Sequence, residues 1–115
     1  MNIVITWPKT RALGSYLAEL AKAEERGHVA YYRLSSRPDV KEGDRCYHVH
    51  DGKVRGYLSV LGMTEFPLDG HAPIDNVTGK HFQPGIYVER HPHWFAINPV
   101  PMRGFQGFRY YREET

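Results

Sequence analysis

The segment at residues 40–60, VKEGDRCYHVHDGKVRGYLSV, decides the fold that the sequence predicts. Residues 46–50 alternate in polarity as a strand with one apolar face does, and a second alternating run follows. Asp51-Gly52 stands between the two runs, and a two-residue turn there needs positive φ, which glycine adopts freely and aspartate tolerates. Gly56, inside the second run, is typical of a bulge or of a close approach by another part of the backbone. The segment therefore predicts a β-hairpin.

The residues before the hairpin predict one helix and two strands. Apolar side chains at helical spacing share one face of residues 11–26, namely Leu13, Tyr16, Leu17, Leu20 and Ala21. Thr10 can cap the start of this helix, and Gly27 can end it. Strands rich in β-branched and aromatic residues are predicted on either side of the helix, at residues 2–7 and 28–34.

The residues after the hairpin predict further strands broken by turns. Prolines and glycines are spread over residues 62–84, so we expect a long irregular loop there. Strands are predicted at residues 85–88, 94–97 and 105–111, with a polar, histidine-rich corner at residues 89–93. Together these elements predict an α+β fold, a small β-barrel of five to seven mostly antiparallel strands with one main packed helix.

Composition limits the kind of protein that this chain can be. A length of 115 residues suits one domain spanning residues 1–115. The single cysteine excludes an internal disulfide framework, and no apolar run is long enough to span a membrane, so we expect a cytoplasmic protein with no membrane partner. Lysine and arginine exceed the acidic residues by 15 − 13 = 2. This small excess favours a nucleotide, a single strand or a protein as the partner over long duplex nucleic acid.

The hairpin and the closing strand resemble those of a known family. The hairpin entry is similar to that of the ASCH and EVE branches of the PUA-like superfamily, and the matching residues are Lys41, Gly43, Asp44, Tyr47, Gly52 and Gly56. Residues 99–111 are similar to the proline- and aromatic-rich closing strand of ASCH-like proteins. The resemblance implies a PUA-like pseudobarrel with a cleft between the helix and the barrel mouth, used to bind RNA, DNA or a modified nucleobase.

One departure from the family bears on catalysis. Hydrolytic ASCH members carry Gly-x-Lys-Thr after the first helix, whereas the matching residues here are Gly27-His28-Val29-Ala30. The lysine and the threonine that the family uses are therefore absent at those positions. We expect binding without catalysis, with no catalytic residue, no cofactor and no metal.

Aromatic and basic side chains make up the predicted binding site. A base can stack on an aromatic ring for roughly 1–3 kcal/mol, and arginine or lysine can contact phosphates around it. The predicted ligand-binding residues are Trp7, Lys9, Tyr32, Arg33, Arg55, Trp94, Phe105 and Arg109, within a wider basic set that includes Arg103. By the resemblance, the cleft lies between the helix start and the strand that ends near Arg33. The alternative interpretation is that about half of the aromatic residues are simply core.

Two His-x-His pairs and a cysteine suggest a different chemistry. Cys46, His48 and His50 share one face of a strand, as His91 and His93 do if their segment is extended, and these side chains can bind Zn²⁺. No zinc-binding spacing accompanies them, so the simpler interpretation places His48 and His50 on the solvated face of the hairpin. Cys46 is not expected to be a nucleophile, because a position inside a strand supplies nothing to lower its pKa.

Three functions remain open from the sequence. The first is non-catalytic binding of a nucleic acid or a nucleotide, either single-stranded or with a modified base. The second is a hydrolase of the ASCH type that acts on a nucleobase or on RNA with relocated residues. The third is a small phage or mobile-element interaction protein that presents residues 62–84 and the aromatic end to a protein partner. Convergence of Trp7, Arg33 and Trp94 on one cleft would favour the first.

Overall fold

The computed structural model of the protein describes residues 1–67, 73–75 and 79–112. Within these residues there are seven strands and one helix, in the order β1 (Ile3–Thr6), α1 (Leu13–Glu25), β2 (Ala30–Leu34), β3 (Arg45–His50), β4 (Lys53–Phe66), β5 (Gly85–Arg90), β6 (Phe95–Pro101) and β7 (Phe108–Tyr110). Every strand that the sequence predicts is present, and the helix is the predicted one. The mostly sheet architecture with one packed helix is therefore confirmed.

Strand β4 organises the sheet, because it is 14 residues long and pairs with three other strands. The first half of β4 pairs with both β3 and β6, and the second half pairs with β5. The strand order is β2-β5-β4-β3-β1-β7, with β6 attached to β4. The β1–β3 pair is parallel and the other pairs are antiparallel. The two strands at the ends of this path, β2 and β7, do not pair with each other in the described part of the chain, so the sheet does not close into a barrel.

The hairpin of β3 and β4 is confirmed. Asp51 has a φ of 51° and Gly52 a φ of 77°, the pair of positive values that the predicted two-residue turn requires. Gly56 coincides with a shift of register in the pairing of β4 with β6, between Val54 and Gly56. The predicted irregularity at Gly56 is therefore also present.

Helix α1 is shorter than predicted at both ends. It begins at Leu13, with Ala12 at the N-cap and no side-chain capping bond, so the prediction of Thr10 as the cap is wrong. Gly27 follows the helix with a φ of 70°, as expected of a glycine that ends a helix. The apolar face packs against the sheet through Leu13, Tyr16, Leu17 and Leu20, whereas Ala21 is exposed.

The core lies on both faces of β1 and β3. One face packs Ile3, Ile5 and Cys46 against Leu34, Val60 and Val88. The other face packs Val4, Tyr47, Val49 and Val54 together. Because both faces are covered, every residue of β3 from Cys46 to His50 is buried. A strand with two buried faces can carry polar side chains only if they find partners inside the protein.

The region predicted as an irregular loop is partly strand. Strand β4 continues to Phe66, so the prediction that the loop begins at residue 62 is wrong, because Gly62 is accommodated in the pairing with β5. Further along, Ile74 and His81 form an isolated bridge. The parts of the predicted loop at residues 68–72 and 76–78 lie outside the described residues. No helix in the described ranges is long and apolar enough to cross a membrane.

Replacing Gly52 with valine should destabilise the protein by about 1–3 kcal/mol, because a β-branched side chain is strained at positive φ. The free energy of unfolding from urea titration measures the effect. Gly62→Val is the matched control, since Gly62 has no atom within 4 Å of an added Cβ and no positive φ. Equal stability of Gly52→Val and the parent protein would contradict the turn geometry.

Candidate functional site

A buried arginine lies at the centre of the molecule. Strand β5 places Arg90 opposite Ala30 of β2 and Val60 of β4, and the residue is only 4% exposed. Its Nη1 lies 2.5 Å from Nε2 of His48, and its Nε donates to the carbonyl oxygen of Ala30 at 3.4 Å. Its guanidinium lies 5.5 Å from the centre of the Tyr32 ring. No carboxylate of the described residues pairs with it, so an imidazole, a carbonyl and a π face stabilise its charge.

Burial and the nearby arginine both act on the protonation of its two neighbours on β3. Burial and the adjacent guanidinium keep the pKa of His48 well below its usual value, so its imidazole is neutral. We assign the proton to Nδ1, because Nε2 must accept from Arg90, and Nδ1 then has no hydrogen-bond partner among the described residues. Burial raises the pKa of the Cys46 thiol, despite the opposing effect of Arg90. Cys46 is therefore a buried thiol without nucleophilic activation.

The expectation of a solvated histidine face is wrong. His48 is fully buried, and His50 is buried with its Nε2 2.8 Å from the carbonyl oxygen of Arg11. Helix α1 and Trp7 cover this face of β3, which the hairpin sequence alone does not reveal. Cys46 and His48 do share a face, but the guanidinium of Arg90 lies against both, and its charge would repel a divalent cation.

The predicted polar corner at residues 89–93 contains this buried residue. Strand β5 continues to Arg90, which points into the core, so the prediction that the polar corner begins at residue 89 is wrong. His91 and His93 are exposed. His93 joins the corner to the helix, because its Nδ1 lies 2.9 Å from a carboxylate oxygen of Glu24.

Trp7 stands at the centre of a stack of rings. The Tyr16 ring of α1 lies parallel to it at 4.4 Å, the Trp94 ring lies at 5.3 Å, and His48 lies at 4.1 Å. Trp94 can take this position because residue 56 is glycine. A Cβ atom at residue 56 would lie only 2.5 Å and 2.7 Å from two atoms of the Trp94 indole ring. Trp7 is 6% exposed. Its faces are covered, so it offers a ligand only an edge.

A cleft of about 410 Å³ opens beside that edge. We call it the Trp7 cleft, and its lining residues are Thr6, Trp7, Pro8, Lys9, Val49, Asp51, Gly52, Arg103 and Gly104. They come from the end of β1, the turn between β3 and β4, and the segment between β6 and β7. The cleft thus gathers three segments that are far apart in the sequence.

Hydrogen bonds hold the walls of the Trp7 cleft in place. The amide of Trp7 donates to the carbonyl oxygen of Val49 at 2.9 Å, and the amide of Met102 donates to that of Gly52 at 3.0 Å. The amide of Phe105 donates to Oγ1 of Thr6 at 3.1 Å. Each wall is thereby tied to its neighbour, which is how a site is organised before its ligand arrives.

The structure brings five of the eight predicted binding residues to this region. Trp7 and Lys9 line the cleft, and Trp94 packs on Trp7 from behind. Phe105 adjoins the cleft beside Gly104, and the guanidinium of Arg109 lies 4.3 Å from the centre of its ring. Arg103 lines the cleft too, although the sequence singled it out only within the wider basic set.

The other three predicted residues lie elsewhere. Tyr32 packs beneath Arg90 in the core, and Nε of Arg55 donates to the carbonyl oxygen of His50 at 3.0 Å. Arg33 lies on the face of β2 opposite to Tyr32, over Gly85. The expected convergence of Arg33 with Trp7 and Trp94 does not occur, because alternation along β2 turns Arg33 away from the core.

Comparison with known proteins gives no relative for this chain. No family model, no curated protein and no solved structure matches it. The resemblance to the PUA-like superfamily therefore stays a prediction, and the function has to be inferred from the geometry of the site.

His48 should make the protein less stable in mild acid. Its pKa is lowered on folding, so below about pH 6.5 the unfolded chain binds a proton that the folded protein does not. Stability should then fall with decreasing pH, by at most about 1.4 kcal/mol for each pH unit. Urea unfolding at about pH 7 and pH 5 measures the change.

His48→Gln keeps an oxygen that can accept from Arg90 and removes the titration, so this variant should show a smaller loss of stability between the two pH values. His91→Gln, at an exposed histidine, is the matched control and should behave like the parent protein. The same pH dependence in His48→Gln and the parent protein would show that His48 is not the responsible group.

Proposed function

We propose that the protein binds a nucleotide or a single-stranded nucleic acid in the Trp7 cleft, without catalysis. The observation that carries the proposal is a pair of exposed cations, Lys9 and Arg103, on the lining of a cleft held together by hydrogen bonds. Neither cation forms an ion pair with any residue in the described ranges. Lysine and arginine without acidic partners are suited to phosphate oxygens.

The remaining lining groups suit the rest of a nucleotide. Gly52 and Gly104 have no side chains, so a ligand can approach the backbone closely there. The carboxylate of Asp51 can accept hydrogen bonds from ribose hydroxyls or from an exocyclic amino group. The edge of Trp7 supplies apolar contact but no stacking platform, since its faces are already packed. A nucleotide would therefore lie across the cleft against an indole edge.

Size and charge favour a short ligand. A volume of about 410 Å³ falls within the usual range of small-molecule sites. The chain carries a net charge of only +2, which provides few contacts for a long run of phosphates. The resemblance to the ASCH and EVE branches supports the same class of ligand, and we include a modified base among the proposed ligands. The PUA-like pseudobarrel that the resemblance implies is also part of the proposal, with the sheet open between β2 and β7 in the described residues.

Binding without catalysis is supported by the position of the reactive side chains. Cys46 and His48 are fully buried and do not line the cleft. Burial raises the pKa of the Cys46 thiol, and burial with Arg90 lowers that of His48. The neutral pair lies beyond the reach of a ligand in the cleft, so a hydrolytic role would need other residues.

Removing both cations should weaken the proposed binding strongly. Titration with mononucleotides and with mixed-sequence single-stranded RNA and DNA, followed by calorimetry, measures the affinity. We expect Lys9→Ala/Arg103→Ala to weaken binding roughly tenfold or more. Each lost phosphate contact should also reduce the slope of log K against log salt concentration by about one. Both side chains are exposed, so the melting temperature should stay close to that of the parent protein.

Arg33→Ala/Arg37→Ala is the matched control, because it removes the same charge at two exposed residues outside the cleft. Binding that is lost in this control but kept in Lys9→Ala/Arg103→Ala would place the ligand on the β2 side and contradict the proposal. Turnover of a nucleobase or RNA would favour the hydrolase. No saturable binding to any probe would favour a protein partner.

A further inference from the structure

A second pocket, of about 360 Å³, lies at the other end of the helix. We call it the Tyr31 pocket, and its lining residues are Gly27, His28, Val29, Tyr31, Thr64, Phe66, Pro73, Ile74, Asp75 and Phe82. None of them lines the Trp7 cleft. The Tyr31 pocket and the Trp7 cleft are therefore separate sites.

Three aromatic rings form one wall of the Tyr31 pocket. Phe66 and Phe82 stack on each other at 4.7 Å, and the Tyr31 ring meets Phe82 at 5.0 Å with an angle of 63°. Tyr87 packs behind all three, and its hydroxyl donates to the carbonyl oxygen of Gln83 at 2.9 Å. Tyr31 remains 37% exposed. The wall is thus a fixed group of rings, of which Tyr31 is the most exposed and Phe66 and Phe82 are half-buried.

The opposite wall is also held in place. The amide of Phe82 donates to the carbonyl oxygen of Pro73 at 3.0 Å, and Ile74 bridges to His81. Asp75 and Lys80 are joined through their backbones at 2.7 Å. Ile74 is 54% exposed, which is unusual for an isoleucine beside a ring cluster. An apolar body that enters the pocket would therefore meet apolar surface on both sides.

The cation–π contacts of the described residues lie at rings outside the Tyr31 pocket. Four arginines cover rings in the described part of the chain, and the rings they cover are Tyr16, Tyr57, Tyr32 and Phe105. No such contact is made to a ring of the Tyr31 pocket among the described residues. An external cation would therefore reach these rings without displacing an arginine that already covers them.

The charges around the pocket favour a cation over an anion. Asp75 lines it, and Glu89 and Asp75 both act with burial to raise the pKa of the Tyr31 hydroxyl. The residues that follow α1 form the floor of the pocket at Gly27, so the negative end of the helix dipole lies there. The nearby basic groups are His28, which lines the pocket, and Lys80 and His81, which belong to the segment that pairs with its wall.

We propose that the Tyr31 pocket binds a small organic cation, a substituted ammonium group whose methyl or methylene groups lie against Tyr31, Phe66 and Phe82. The rings supply cation–π attraction, and Asp75 supplies a carboxylate at the edge. Substituted ammonium ions suit such a site because they lose little hydration on entering it. This binding is independent of the ligand in the Trp7 cleft.

Choline and its uncharged carbon isostere, dimethylbutanol, test the proposal directly, because they have the same shape and differ in charge. Titration of the full chain followed by NMR measures affinity through the ring and amide signals around Tyr31. We expect choline to bind saturably and dimethylbutanol to bind at least roughly tenfold more weakly. Tyr31→Ala should lose choline binding, whereas Tyr31→Phe should keep it because the ring face remains.

Tyr110→Ala is the matched control, since Tyr110 is an exposed tyrosine at the far edge of the sheet, in β7. Equal binding of choline and dimethylbutanol would overturn the proposal, since the pocket would then select shape without charge. Choline shifts that persist in Tyr31→Ala would place the cation elsewhere and would overturn it as well. Saturable binding only of peptides that carry a lysine or trimethyllysine, and not of choline, would replace the small cation with a protein partner.

Discussion

The close approach of Trp94 to Gly56 is the contact on which much of the site depends. The bare Cα of Gly56 leaves space for the indole of Trp94, which in turn packs on Trp7. Trp7 also stacks on the ring of Tyr16 in α1, so one glycine in β4 affects how the residue after β1, the residue before β6 and the helix pack together. Because the edge of Trp7 lines the candidate cleft, a change in the packing of the interior would also change the shape of the cleft.

The second constraint is a positive charge in the core. Removing an ion from water costs several kcal/mol, and no carboxylate in the described residues offsets this for Arg90. His48, the carbonyl oxygen of Ala30 and the ring of Tyr32 do so instead. This arrangement keeps His48 neutral, and burial keeps Cys46 a thiol. The two residues that suggested metal binding or nucleophilic chemistry in the sequence are therefore part of the buried interior. The binding that we propose relies instead on the exposed side chains of Lys9 and Arg103.

Local patterns in the sequence predicted the elements better than the site. The Asp51-Gly52 turn and the helix face follow from backbone preference and periodicity, and both are present. The burial of His48 could not be predicted, because α1 and Trp7 cover β3 only after distant segments pack together. Arg90 was misplaced for the same reason, since its polar neighbours suggested that the strand ends before it. Contacts between distant segments, which no local pattern encodes, decide which polar residues are functional.

Gly56→Ala is the measurement that tests this account most directly. The added methyl group would overlap the indole of Trp94 and the carbonyl oxygen of Phe95, so the free energy of unfolding should fall by about 1–3 kcal/mol or more, and tryptophan emission should change as Trp94 leaves Trp7. Gly62→Ala in the same strand meets no atom within 4 Å and should leave both properties unchanged. If Gly56→Ala were as stable as the parent protein, with the same emission spectrum, Trp94 would not lie on Gly56 and the account of the site would be contradicted.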